Sequence, residues 1–393
     1  MNFNTCGWRR SAWRRWALLA AALAAAITGV AAHGGLVIPP CRNNHGNVNL
    51  FNFTTQPGER WLSGGSCAGD MCLWFNDGCF IGCPNCSSTV SVLPGASGEV
   101  PDRFIKPNCE APALMEPTLP EEYRTWNIGN PSSYGDWTRY HPWRAPGHAP
   151  VSDPCGRAGA NTAESGGGET PIGAKQFDRG SLLPKLPAPN SSTTWHRGQP
   201  AEVGWMVGSN HGGGYLYSLC PANETLTEAC FRRTTLTFVG DFHVIRRLDN
   251  SSLPEPSYTI PAMQVREGTF PPGSLWRRNP IPACNCDGGK SCGVNKTTPS
   301  QPAYPDYYRA YADEAQPQPT GNSQPCATGT HFPVPCPKCY GQSQFGANQP
   351  RNMWAIVDEV QVPNVTGDFV LRWRWDTEQN PQIWTHCADV TIV

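Results

Sequence analysis

The stretch AEVGWMVGSNHGGGYLYSLC, Ala201 to Cys220, decides the fold class. Its first eight residues alternate as a strand does, and Tyr215 to Cys220 alternate again. Between the two runs lies Ser209-Asn210-His211-Gly212-Gly213-Gly214. The reading is two strands joined by a glycine turn that presents one histidine. Glycines at such a turn let the backbone come close to whatever His211 touches. Cys220 and Cys230 are placed to close a local loop.

Strand signals continue on both sides. Leu36 to Ile38 forms a short buried strand, ended by Pro39 and Pro40, which lack donors. Thr234–Phe242 and Tyr258–Val265 predict further short strands. Asn352–Val362 and Asp368–Trp375 predict two strong ones, with residues 366 and 367 as their turn. The last residues, up to Val393, alternate as a closing strand. Gly and Pro number 40 each and charged residues make up only 16%, a composition that favours short strands joined by long ordered loops. The expectation is an all-β protein with an immunoglobulin-like or fibronectin-like β-sandwich core and long disulfide-rich loop insertions. One domain spans 33–393, with insertions near 87–198 and 284–350. Within the second, residues 296 to 325 are expected to be the most mobile part, with Gln316-Pro-Gln-Pro resembling a linker.

Residues 1–32 read as a signal peptide. Arg9, Arg10, Arg14 and Arg15 make a basic region, Trp16 to Ile27 an apolar one too short to span a bilayer, and Val30 and Ala32 a small-residue cleavage pattern. The alternative is a signal anchor. No other apolar stretch approaches the ~20 residues of a spanning helix. Of 18 cysteines, Cys6 leaves with the signal, and the rest suit an oxidising compartment. Cys83-Pro-Asn-Cys86, Cys336-Pro-Lys-Cys339 and Cys284-Asn-Cys286 look like zinc half-sites, but behind an export signal disulfides are the expected use. Seven Asn-x-Ser/Thr sequons, at Asn52, Asn85, Asn190, Asn223, Asn250, Asn295 and Asn364, also point to a secreted glycoprotein. A formal net charge of -1 gives no reason to expect a nucleic-acid partner.

If cleavage follows Ala32, His33 becomes the first residue and carries an amine beside its imidazole. Both nitrogens can bind a metal, and such donors suit copper. His141, His148 and His196 have no ligand spacing and read as surface or hydrogen-bonding residues. Near the other end lies Gln382-Ile-Trp384-Thr-His-Cys387.

Taken together, His33 at the processed end, His211 on its glycine turn and Gln382-Ile-Trp384-Thr-His-Cys387 resemble the lytic polysaccharide monooxygenases. The opening His33-Gly-x-x-x-x-Pro-Pro, the Asn210-His211-Gly stretch and the ending Cys387-Ala-Asp-Val-Thr-Ile look most like auxiliary-activity family fifteen. The resemblance covers the two ends and residues 199 to 235, and leaves both insertions unexplained. It implies one copper ion held by the amine and Nδ1 of His33 and by Nε2 of His211. It places Trp384 on the axial side of the metal, where tyrosine or phenylalanine is usual; a tryptophan buried against a disulfide is the alternative. It makes Gln382 a hydrogen-bonding partner of the activated oxygen species, against a plain solvent-facing residue. Ser209 falls where a small residue lines the axial side. His386 reads as a surface residue or a proton donor.

The expected function is therefore a secreted, extracellular, monomeric copper enzyme. Its co-substrate is oxygen or hydrogen peroxide, its reductant an external electron donor, and its partner a crystalline polysaccharide surface of cellulose or chitin. Tyr134, Trp137, Tyr140, Trp143 and Tyr215 are candidates for that surface or for the core. The competing reading is a non-catalytic secreted copper- or carbohydrate-binding protein. A zinc hydrolase is disfavoured by the absence of His-Glu-x-x-His. A glycoside hydrolase needs two paired carboxylates, and the sequence pairs none.

Overall fold

A computed structural model describes residues 33–43, 74–76, 81, 142–158, 177–209, 212–247, 257–280, 354–378 and 382–393. The predicted signal peptide, the insertion at 284–350, the three zinc-like cysteine pairs and His211 lie outside the described residues, as does the side chain of His33.

In chain order the strands are β1 (His33–Ile38), β2 (Trp74–Asn76), β3 (Arg157–Ala158), β4 (Thr193–Trp195), β5 (Pro200–Ser209) and β6 (Gly214–Pro221). They continue as β7 (Phe238–Arg247), β8 (Ser257–Pro261), β9 (Gln264–Val265), β10 (Trp276–Arg278), β11 (Trp354–Gln361), β12 (Gly367–Asp376) and β13 (Ile383–Ile392). Among the described residues one short α-helix, α1 (Glu228–Arg233), interrupts them. A five-stranded sheet has the order β1-β5-β11-β7-β8. An eight-stranded sheet has the order β3-β2-β13-β12-β6-β10-β9, with β4 paired to β13. All pairs are antiparallel except β4 with β13. The protein is an all-β sandwich, as the alternation around His211 predicts.

The two sheets meet face to face through aromatic rings. Trp205 on β5 lies 4.8 Å from Tyr215 on β6, 5.1 Å from Trp373 and 5.2 Å from Trp375 on β12, by ring centroids. All four are fully buried. Each such pair adds about 0.5–1.5 kcal/mol beyond its apolar burial. Trp143 and Tyr215 are therefore core residues and not part of a polysaccharide-binding surface.

Strand β12 reads Arg372-Trp373-Arg374-Trp375, and its alternation is used on both faces. The tryptophans point into the sandwich. The arginines point out, yet are buried, because α1 and the 142–149 segment cover that face. Arg372 and Arg374 both pair with Glu228 on α1, Arg374 at 3.0 Å. Thr227 caps α1 by accepting from the Cys230 amide at 3.1 Å. The disulfide Cys220–Cys230 ties α1 to β6, closing the loop expected there. A second disulfide, Cys155–Cys387, binds the 142–158 segment to β13 across 232 residues of sequence.

Several boundaries differ from the sequence reading. The strand expected at Thr234–Phe242 is centred later, at Phe238–Arg247, because Thr235 makes only an isolated bridge to Ser218. Tyr258–Val265 divides into β8 and β9 where the Ala262 amide turns aside to Asp241. His386 is not at the surface. It shares the inward parity of Trp384 and Ala388, is 5% exposed, and packs edge-on against Trp373 with Nδ1 3.5 Å from Cys41 Sγ.

Candidate metal centre

The centre expected from the sequence is framed by four strand ends: the start of β1, the end of β5, the start of β6 and the end of β12. His33 is held in β1 opposite Ser209, the last residue of β5. The next pair is Gly34 with Val207, so β5 carries an extra residue at this point. Such a bulge turns the strand and re-aims the side chains beside it. The register thus brings the backbone of His33 level with Ser209, two residues before His211.

Gly34 then decides how closely β1 approaches the core. A Cβ there would lie 2.8 Å from Trp375 Cζ3 and 2.9 Å from Cε3. Only glycine fits without moving a buried ring. The same Trp375 reaches the other segment, its Nε1 donating to the Gly212 carbonyl at 2.7 Å. Asn279 adds a long contact from Nδ2 to that carbonyl at 3.4 Å, and its own amide donates to the Gly213 carbonyl at 2.8 Å. The Gly213 amide donates to Glu378 Oε2 at 3.2 Å, and Arg278 pairs with that oxygen at 2.9 Å. Glu378 and Arg278 are fully buried, where a carboxylate requires such a partner. The residues immediately following His211 are therefore anchored from three sides.

The glycines of this turn have local causes. Gly212 and Gly213 have φ of 62° and 78°. A Cβ on Gly213 would lie 2.0 Å from the Asp376 carbonyl oxygen, and one on Gly214 2.3 Å from the Trp143 ring. Their close approach is to β12 and its cover.

Gln382 and Trp384 lie at the entry of β13. Gln382 is 4% exposed, so it is not a solvent-facing residue, and its Oε1 accepts from Trp384 Nε1 at 3.3 Å. Its carbonyl accepts from Thr377 Oγ1 at 2.7 Å. Trp384 is fully buried, stacked on Phe75 at 4.6 Å and tilted against Trp375 at 6.3 Å. It is thus one ring away from the tryptophan that supports Gly34. Among the described residues, no group of three or more His, Cys, Asp or Glu side chains is arranged to hold a metal. The carboxylates nearest the turn are committed elsewhere: Asp376 bridges Arg374 and the Gly147 amide, and Glu378 bridges Arg278 and Gly213. The donors expected from the sequence are nitrogens: two imidazoles and, if cleavage follows Ala32, an amine. That set fits copper better than a hard cation.

One polar cluster escaped the sequence reading. His243 on β7 and Asp358 on β11 meet Tyr215 on β6 and Arg277 on β10, joining the two sheets. Asp358 accepts from Tyr215 at 2.6 Å and Arg277 at 2.5 Å, and its Oδ1 lies 2.8 Å from His243 Nδ1. All four side chains are buried. Burial alone would raise the Asp358 carboxyl, but His243 and Arg277 hold it below its ordinary value. Burial lowers His243 and, with Asp358, pushes Tyr215 well up. With no exposure to solvent, the cluster is a structural cross-brace. Only the inward parity of His243 could have signalled it.

No protein-family model matches the chain. The lytic polysaccharide monooxygenase aasB of Emericella nidulans is 24% identical over 206 residues, covering 51% of this chain and 49% of that protein. The AA13 family lytic polysaccharide monooxygenase A of Aspergillus terreus is 25% identical over 206 residues, covering 51% of this chain and 40% of that protein. The match thus spans about half or less of these relatives' own length. Among solved structures, a chitin binding domain from Burkholderia pseudomallei is 11% identical with a TM-score of 0.29, covering 92% of this chain and 100% of that one. An AA10 lytic polysaccharide monooxygenase from Streptomyces lividans is 12% identical with a TM-score of 0.20, covering 58% and 78%. The narrower likeness to auxiliary-activity family fifteen has no counterpart among these proteins. The sequence matches agree with the motifs at both ends of the chain in one respect: the protein is similar to the lytic polysaccharide monooxygenases.

Proposed function

We propose that this is a secreted, copper-dependent monooxygenase that oxidatively cleaves glycosidic bonds in cellulose or chitin, in a single catalytic domain beginning at His33. The observation that carries the reading is the β1–β5 register. It sets His33 opposite Ser209, while Trp375 braces both Gly34 and Gly212.

In this reading His33 contributes its amine and Nδ1, and His211 its Nε2, to one copper ion. When bound, that ion supplies one-electron chemistry with oxygen or peroxide, driven by an external reductant. The protein's own part is positioning. The β5 bulge and Gly34 bring His33 to the sheet end, and Trp375, Asn279 and Glu378 fix the backbone after His211. Buried Gln382 holds a side-chain amide near the strand end, oriented by Trp384, to donate a hydrogen bond to an oxygen species. Trp384 would stand behind the metal as a buried aromatic wall that offers no oxygen donor. Preorganisation of this kind lets a site act without rearranging at each turnover.

The test uses secreted protein whose first residue has been identified by N-terminal sequencing. Copper calorimetry should give one site, and His211→Ala should remove most of the affinity. Mass spectrometry of chitin and cellulose digests with ascorbate should show oxidised oligosaccharides. Copper binding with no oxidised product favours the non-catalytic reading, and a mature chain starting elsewhere than His33 sinks the amine ligand.

A further inference from the structure

The sequons at Asn190, Asn223 and Asn364 fall within the described residues, and the topology gathers all three at one end of the sandwich. Asn223 sits in the turn after β6, closed by the Glu224 amide donating to the Pro221 carbonyl at 3.0 Å. Asn364 sits in the turn between β11 and β12, closed by the Val365 amide donating to the Pro363 carbonyl at 2.9 Å. Both asparagines are exposed, and so are the threonines two residues on, Thr225 and Thr366.

Gly367 and Asp368, at the start of β12, are the common neighbours. Asp368 accepts the Ala222 amide at 2.9 Å, next to Asn223. It also accepts Thr391 Oγ1 at 2.7 Å, and Thr391 Oγ1 is 2.8 Å from Ser192 Oγ of the Asn190 sequon. The candidate metal centre lies at the other end of the same strand, where Asp376 pairs with Gly214. Strand β12 has ten residues, which at about 3.3 Å each is roughly 30 Å.

We propose that Asn223 and Asn364 are acceptors of N-linked glycans, forming a sugar-bearing end opposite the strand ends that hold His33 and the glycine turn. The recognition chemistry is Asn-x-Thr with an exposed amide. The co-reactant is an oligosaccharide on a lipid pyrophosphate carrier. Asn Nδ2 bonds to the anomeric carbon, the carbon–oxygen bond to the carrier breaks, the pyrophosphate leaves with the electron pair, and the amide loses one proton. Neither asparagine forms part of a strand ladder. Glu224, the middle residue of one sequon, is drawn aside to Arg233, which leaves the turn apex to the sugar. Glycans there hold this end in water and leave the opposite end clear for an insoluble polymer.

The test is independent of copper or catalysis. The full chain, with its own first 32 residues, is secreted from a eukaryotic host and digested. Treatment with peptide:N-glycosidase in heavy-oxygen water should convert both Asn223 and Asn364 to labelled aspartate. Thr225→Ala and Thr366→Ala should each remove one glycan from the intact mass while keeping the asparagine. Recovery of either asparagine wholly unmodified in the secreted wild-type protein overturns the proposal. If a variant is not secreted, the wild-type digest decides alone.

Discussion

Trp375→Phe separates the support of the candidate centre from ordinary core packing. The substitution keeps an aromatic ring against Gly34 but removes the 2.7 Å donation from Nε1 to the Gly212 carbonyl. Trp373 provides the comparison. It is equally buried on the same face of β12, yet its Nε1 has no hydrogen-bond partner among the described residues. Each Trp→Phe change loses similar apolar area, roughly 1–2 kcal/mol. Trp375→Phe additionally removes one hydrogen bond to a buried carbonyl, about 0.5–1.5 kcal/mol, whereas the Trp373 indole donor has no partner among the described residues. Urea unfolding should therefore show Trp375→Phe to be less stable than Trp373→Phe by about 0.5–1.5 kcal/mol. Calorimetry should show copper affinity about 10- to 100-fold weaker in Trp375→Phe, the usual cost of losing an outer support of a metal ligand, and near wild type in Trp373→Phe. Equal destabilisation would refute the hydrogen-bond argument. Equal copper affinities would refute the link between Trp375 and the His211 turn.

Gly34→Ala should cost about 1–3 kcal/mol through overpacking on Trp375, measured by denaturant unfolding; a neutral effect would mean that β1 is free to shift outward. Cys155→Ser should cost about 2–5 kcal/mol, because it releases β13 from the 142–158 segment across 232 residues, and thermal unfolding as stable as wild type would contradict this. His243 is held below its ordinary pKa by burial, so its contribution is complete above about pH 6.5. It declines as pH falls, because the unfolded chain takes up the proton first. His148 shifts in the same direction, from burial and then Arg374. His243→Gln should flatten the loss of stability below about pH 6.5 in part, and an unchanged slope would show that the imidazole does not set it.

The long strands β5, β6, β11 and β12 lie within two residues of expectation, and the alternation expected up to Val393 belongs to β13. Strands β2, β3, β4, β9 and β10 are two or three residues long, too short for any period to show. Their pairing is imposed by longer neighbours, β2 and β4 by β13, and β10 by β6. The sequence misleads where a polar side chain faces inward. His386 reads from its alternation as a surface residue, but it has the parity of Trp384 and faces inward. His243 sits on an inward position of β7 with its carboxylate partner 115 residues away, a distance no local pattern spans. For the candidate centre, the residue types and their order were legible, but the framework holding them was not. Trp375, Asn279 and Glu378 touch backbone and belong to no motif around either histidine.

The glycines that follow both histidines show why that framework matters. The sequence reads His33-Gly34-Gly35 at one end and His211-Gly212-Gly213-Gly214 in the middle. Taken alone, each glycine run suggests close approach to a ligand. The structure gives Gly34, Gly213 and Gly214 protein neighbours: the Trp375 ring, the Asp376 carbonyl, and the Trp143 ring that packs over this end of the sheet. Two of these neighbours are consecutive residues of β12. Glu378, just beyond, takes the Gly213 amide. The end of β12 is therefore the surface against which both histidine-bearing segments are set, and any side chain larger than hydrogen at Gly34 or Gly213 would push its segment away from it. Two segments 178 residues apart in sequence can meet at one place because one strand end fixes the distance of each. On this argument, the backbone positions of Gly34 and of Gly212–Gly213 are set by the end of β12, and the residues that set them are Trp375 and Glu378.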